Sequence, residues 1–125
     1  MKLITGENGL ELVHPNGNWQ VKKESGFSPV EMLVSSVAAC STYVYEDVLH
    51  NSKIPYELHE VEISYQRDSV GTVHPVTKII ITFHVTIPVE LQERANRGLK
   101  LIPKHCPVVQ ALADTIVVEE KLICR

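Results

Sequence analysis

The stretch Ser28–Leu49, "SPVEMLVSSVAACSTYVYEDVL", decides how the chain is read. Ser28 stands where an N-cap belongs, Pro29 suits the first helical position, and Glu31 follows the cap by three residues. That is a capping box. The serine oxygen accepts from a free N–H of the first turn, and the glutamate reaches back to the N–H of Ser28. The pattern predicts one helix from about residue 29 to about residue 50, ending near Asn51 and Ser52 with Pro55 beyond. Leu33, Val37, Cys40, Val44 and Val48 follow one another at steps of three and four and form one face. Met32, Val34, Ala38 and Ala39 widen the apolar surface past a stripe. A helix this apolar is buried on most sides, and in a short chain a second copy is the expected cover.

Strands flank the helix on both sides. "LELV" and "WQVKK" enclose "HPNGN", where Asn16-Gly17 predicts a hairpin turn because both residues tolerate positive φ. After the helix, "ELHEVEISYQR" alternates, with Val61, Ile63 and Tyr65 on one face. "VTKIIITFHVTI" alternates too: Ile79, Ile81, Phe83, Val85 and Ile87 face one way, and Ile80, Thr82, His84 and Thr86 the other. "DSVGTVHP" joins the two as a hairpin. "VELQERANRGLKLI" reads as a second helix with Leu91, Ala95 and Leu99 on its apolar face, interrupted at Pro103. "CPVVQALAD" reads as a further helical segment capped at Cys106, and "TIVVEEKLI" as a last strand. The order β-β-β-α-β-β-α-α-β implies an α+β fold with antiparallel strands.

Composition narrows the function classes. The 125 residues, 44% of them hydrophobic and 22% charged, suit a single domain over 1–125 with a real core. The net charge is −3 and no Lys/Arg run exceeds the pair Lys22-Lys23, so nucleic acid is not an expected partner. No stretch approaches the roughly 20 apolar residues of a membrane span, and "MKLITGENGLEL" lacks the apolar core of a signal peptide. A cytoplasmic location is expected, where thiols stay reduced.

Three cysteines, Cys40, Cys106 and Cys124, are too few and too scattered for a disulfide scaffold or a Cys-x-x-Cys zinc site. Read locally, Cys106 is the more reactive. It lies at a helix start, where free N–H groups and the helix dipole favour a thiolate, beside Lys104 and His105. Cys40, three turns into an apolar helix, reads locally as a small core residue whose thiol is held protonated by desolvation. Cys124 reads as a frayed terminal residue. His14, His50, His59, His74 and His84 show no metal-ligand spacing, and neither a metal nor an organic cofactor is expected. There is no glycine-rich phosphate loop and no G-x-S-x-G elbow.

"SPVEMLVSSVAAC" opening a long buried helix, two long strands, then "KHCPVVQALAD" and a last strand together resemble the OsmC/Ohr family, the osmotically inducible protein C and organic hydroperoxide resistance proteins. The resemblance covers nearly the whole chain, in order. It implies an OsmC-like fold: an intertwined homodimer with antiparallel sheets wrapped around long central helices. It also implies a thiol peroxidase of oxidative stress defence. The helix cysteine, Cys40, would attack the O–O bond of an organic hydroperoxide and become a sulfenic acid. Cys106 would resolve it as a disulfide, and a dithiol reductant would restore both. The resemblance thus reverses the local ranking of the two thiols.

Two departures place the chain nearer the OsmC-like branch. The hydroperoxide-resistance branch carries a glutamate directly after the proline, whereas here that position is Val30 and Glu31 comes one later. Glu31 is a candidate catalytic residue, yet at about 100° per residue it lies on the opposite side of the helix from Cys40, and the cap alone accounts for it. The family's N-terminal arginine is missing, since no arginine precedes Arg67; Lys22, Lys23 and Arg67 are the candidate cations. The alternative function is a protein of the same fold that binds a small hydrophobic ligand at the dimer interface, with weak or no peroxidase activity. Thiol-dependent hydrolysis would need a histidine beside a cysteine, for which His105 is the nearest in sequence.

Overall fold

A computed structural model describes all residues, 1–125. Contacts divide the chain into two compact units, Met1–Leu33 and Val34–Arg125.

In the first unit, β1 (Leu3–Gly6), β2 (Gly9–Leu12) and β3 (Trp19–Gln20) form an antiparallel sheet in that order. The β2–β3 hairpin lies where the sequence places it, but its turn differs. The Gly17 N–H donates to the His14 carbonyl at 3.1 Å, and Gly17 but not Asn16 has positive φ (119°). The turn is therefore centred on Pro15-Asn16, with proline in its favoured position and glycine closing it. The capping box forms as read: the Ser28 N–H donates to Glu31 Oε1 at 2.9 Å, and the Glu31 N–H donates to Ser28 Oγ at 3.1 Å.

That cap starts α1, Pro29–Asn51. Its end is a Schellman motif: the Ile54 N–H donates to the Leu49 carbonyl at 2.9 Å and the Lys53 N–H to that of His50 at 3.0 Å. Lys53 takes the left-handed conformation (φ 56°) that the motif requires. The buried stripe is Val34, Val37, Ala38, Ser41, Tyr45 and Leu49. It is rotated by about one residue from the expected face, whose Cys40, Val44 and Val48 are half-buried. The polar atoms on the buried stripe find partners. The Tyr45 hydroxyl donates to the Ala95 carbonyl at 2.8 Å, and its ring packs at 4.9 Å on that of Phe83. Two residues that look polar in sequence therefore belong to the core, and the wholly apolar face beside them is left half-open.

In the second unit, β4 (Glu57–Arg67) and β5 (Val76–Thr86) pair antiparallel, and β6 (Val117–Cys124) pairs with β5. Contrary to the antiparallel expectation, β6 runs parallel to β5. A parallel neighbour needs a crossover, which the helical segment after β5 supplies. Ile79, Ile81, Phe83, Val85 and Ile87 are 0–3% exposed and form the core face as expected. Each contributes about 1.5–3 kcal/mol by burial. Val61, Ile63 and Tyr65 lie opposite Phe83, Ile81 and Ile79. A register shift between Leu58 and Glu60 leaves His59 as an extra residue, so Leu58, opposite Val85, joins the same face despite its even number. Ile63 and Tyr65 remain 39% and 36% exposed.

The expected second long helix is instead a chain of short ones: a 3-10 turn at Val89–Leu91, α2 (Gln92–Gly98), a second 3-10 turn at Leu99–Leu101, α3 (Ile102–His105) and α4 (Pro107–Gln110). Pro103 lies in the first turn of α3 and Pro107 starts α4, where neither ring obstructs a preceding turn. At Gly98 the chain passes close to α1, since a Cβ there would stand 3.1 Å from Val48 Cγ1. Only one central helix, α1, is long.

Candidate functional site

Helix α1 carries Cys40 and Ser41 side by side, about three turns from its start. Ser41 points into the core and is fully buried, while Cys40, one residue back, is half-buried. Cys106 arrives 66 residues later as the backbone N-cap of α4 and is likewise fully buried. Its sulfur lies 3.9 Å from Ser41 Oγ. It also lies near enough to Cys40 to act on that thiol. All three cysteines are free thiols.

The surroundings of Cys106 differ from the local expectation. No side-chain bond ties Cys106 to the start of α4, which has only four residues, and Lys104 and His105 are exposed whereas Cys106 is not. The Val108 backbone, in the first turn of α4, lies near enough to Cys40 to act on its thiol. Burial pushes the Cys40 thiol up, the Cys106 sulfur pushes the same way, and the Val108 amide pulls it down. The upward influences prevail, so the uncharged thiol is favoured.

The other residues singled out in the sequence fall elsewhere. Glu31 is engaged in the cap, where bonds from the Ser28 backbone and side chain hold its carboxyl below the usual range. Arg67 Nε donates to the His74 carbonyl at 2.7 Å and so serves the β4–β5 loop. Lys22 and Lys23 are exposed in the first unit. Cys124, expected to be frayed, is the last residue of β6 and half-buried, with its thiol raised by burial. His105 lines an open cleft of about 340 Å³ with Val44, Asp47, Val48 and Leu101. Val44 stands one helical turn beyond Cys40.

Ser41 and the Val108 amide were missed in the sequence. A serine on the apolar stripe, four residues after Val37, was the available signal for Ser41. A backbone amide carries no residue-type signal at all.

No curated protein matches the chain. Solved structures do. An OsmC-like protein from Mycoplasma pneumoniae superposes with a TM-score of 0.75 at 15% identity, over 98% of this chain and 94% of that one. A hypothetical protein from Aquifex aeolicus superposes with a TM-score of 0.72 at 17% identity, covering 99% and 93%. The organic hydroperoxide resistance protein OhrB of Bacillus subtilis gives 0.57 at 23% identity, covering 97% and 89%. These likenesses show the fold. The model of the family of OsmC-like proteins matches residues 22–121, most of the chain, and this chain belongs to that family.

Proposed function

We propose that the chain reduces organic hydroperoxides with Cys40 as the attacking thiolate and Cys106 as the resolving thiol, acting as a homodimer. The observation that carries this reading is that two free thiols from distant parts of the sequence come close, with the Cys106 sulfur 3.9 Å from the hydroxyl of Ser41, the residue after Cys40. The Cys40 thiolate attacks one peroxide oxygen and the O–O bond breaks. The alkoxide leaves as an alcohol after taking a proton, and Cys40 becomes a sulfenic acid. The Cys106 thiol then displaces hydroxide, which leaves as water, and a disulfide forms. A dithiol reductant returns both thiols. The fold-mate from Bacillus subtilis, described as an organic hydroperoxide resistance protein, supports the substrate class.

Within this reading the Val108 amide stabilises the thiolate, and Ser41 orients Cys106 from 3.9 Å. Glu31 acts as a positioning residue that fixes the start of the helix bearing Cys40. Arg67, one of the cations considered for the thiolate, is engaged at the β4–β5 loop through its Nε.

The test counts thiols after adding tert-butyl hydroperoxide to the reduced protein. Wild type loses two thiols per chain, Cys106→Ala loses one, and Cys40→Ser shows no fast loss. Glu31→Gln, whose side-chain oxygen can still accept from Ser28, retains the wild-type rate. Thiol loss no faster than in denatured protein overturns the peroxidase. The open cleft beside Val44 and Leu101 favours a second reading, binding of a small hydrophobic ligand without turnover. That reading predicts saturable binding of a fatty acid to a Cys40→Ser/Cys106→Ser protein, together with unchanged thiols in wild type.

A further inference from the structure

We propose that the polar face of the β4–β5–β6 sheet holds a divalent transition-metal site formed by Glu60, Glu62 and His84. Strand pairing brings the three together. Glu60 lies directly opposite His84, and Glu62, two residues on along β4, projects from the same face opposite Thr82. His84 Nε2 is hydrogen-bonded to Glu62 Oε1 and lies 3.9 Å from Glu60 Oε1. The three ligand atoms all fall within 4.8 Å of one another.

Burial distinguishes this cluster from a chance group of surface acids. The His84 side chain is only 10% exposed, and its ring nitrogen is aimed at the carboxylates. The carboxylates are 56% and 65% exposed, which leaves them free to adjust to an ion and leaves water access to its remaining positions. Arg125 Nη2 meets Glu60 Oε1 at 3.0 Å, whereas Glu62 has His84 and no lysine or arginine as its ion-pair partner. One imidazole and two carboxylates suit zinc, cobalt or manganese better than the softer copper(I). Zinc sits about 2.0–2.2 Å from such donors in sites that keep an open position. The ion would bridge β4 to β5 beside the irregularity at His59.

The site was hidden in the sequence because its ligands come from two strands. Glu60-x-Glu62 is an ordinary alternation, and His84 follows 22 residues later.

The experiment titrates the reduced full chain with Zn²⁺ by calorimetry and with Co²⁺ by visible absorption. Wild type binds one equivalent per chain without the sulfur-to-cobalt charge-transfer band of a cysteine-bound ion. Affinity falls at least about ten-fold in His84→Ala and in Glu60→Gln/Glu62→Gln, and rises in Arg125→Ala, which frees Glu60. The double glutamine variant alters only exposed groups, so it tests the site even if His84→Ala fails to fold. No binding in wild type, a sulfur-to-cobalt band, or undiminished binding in the double glutamine variant overturns the proposal.

Discussion

Glu120 shows how one side chain ties the core to pH. It lies on the core face of β6, opposite Ile81 and between Val118 and Leu122. Its Oε1 is buried without a hydrogen-bond partner. Burial pushes its carboxyl up from 4.5 to about 7. Because the folded value is raised, the folded state binds the proton more tightly than the unfolded chain does. The associated stability is complete below about pH 4.5 and is lost as pH rises through about 7. Discounted for a partly solvated carboxyl, the loss is on the order of 1 kcal/mol. Glu120→Gln therefore unfolds at a higher temperature than wild type at pH 8, with a smaller difference at pH 5. Melting curves at the two pH values check this. A gap that does not widen with pH would show that the buried charge is not its source.

Among the elements, α1 is bounded at both ends by local chemistry. The capping box opens it, and the Schellman motif closes it with a lysine where glycine is usual. A left-handed non-glycine residue costs roughly 1–2 kcal/mol, against roughly 0.5–1 kcal/mol for the greater freedom of glycine in the unfolded chain. Lys53→Gly is thus expected to stabilise the protein by about 0.5–1 kcal/mol. Denaturant midpoints at unchanged slope measure it, and a lowered midpoint would count against the motif. The helical segment after β5 was less legible. Leu91, Ala95 and Leu99 have helical spacing, but the segment is divided into short helical pieces, two of which carry Pro103 and Pro107 in their first turn. Periodicity reports which side is apolar and does not report how often the axis must bend.

For the molecule as a whole, the exposed apolar groups on Val34–Arg125 bear on assembly. Tyr43 is 71% exposed, Ile63 39% and Tyr65 36%, and Cys40, Val44 and Val48 make a half-open face on α1. Burying such a surface is the main drive for association. The proposed homodimer predicts twice the mass of one chain by light scattering at micromolar concentration. A single-chain mass there would remove the dimer from the proposed mechanism.

What the sequence determined by itself is what neighbours within a few residues decide. Ser28 and Glu31 set the start of α1, and alternation in β5 set which five residues enter the core. The string from Ser28 to Cys40, with the later Cys-Pro-Val, was enough to indicate the family. Only the tertiary structure decided the rest. It set the parallel direction of β6 and the irregularity that turns Leu58 inward. It brought the Cys106 sulfur and the Val108 amide to Cys40, and Glu60 and Glu62 to His84. Caps and periodicity depend on contacts within about one helical turn or one strand pair. Strand direction, register and side-chain meetings depend on how segments far apart in the chain bury one another's surfaces. Cys40, which local reasoning reads as filler, has Cys106 and Val108, more than 60 residues away in the chain, as neighbours that act on its thiol.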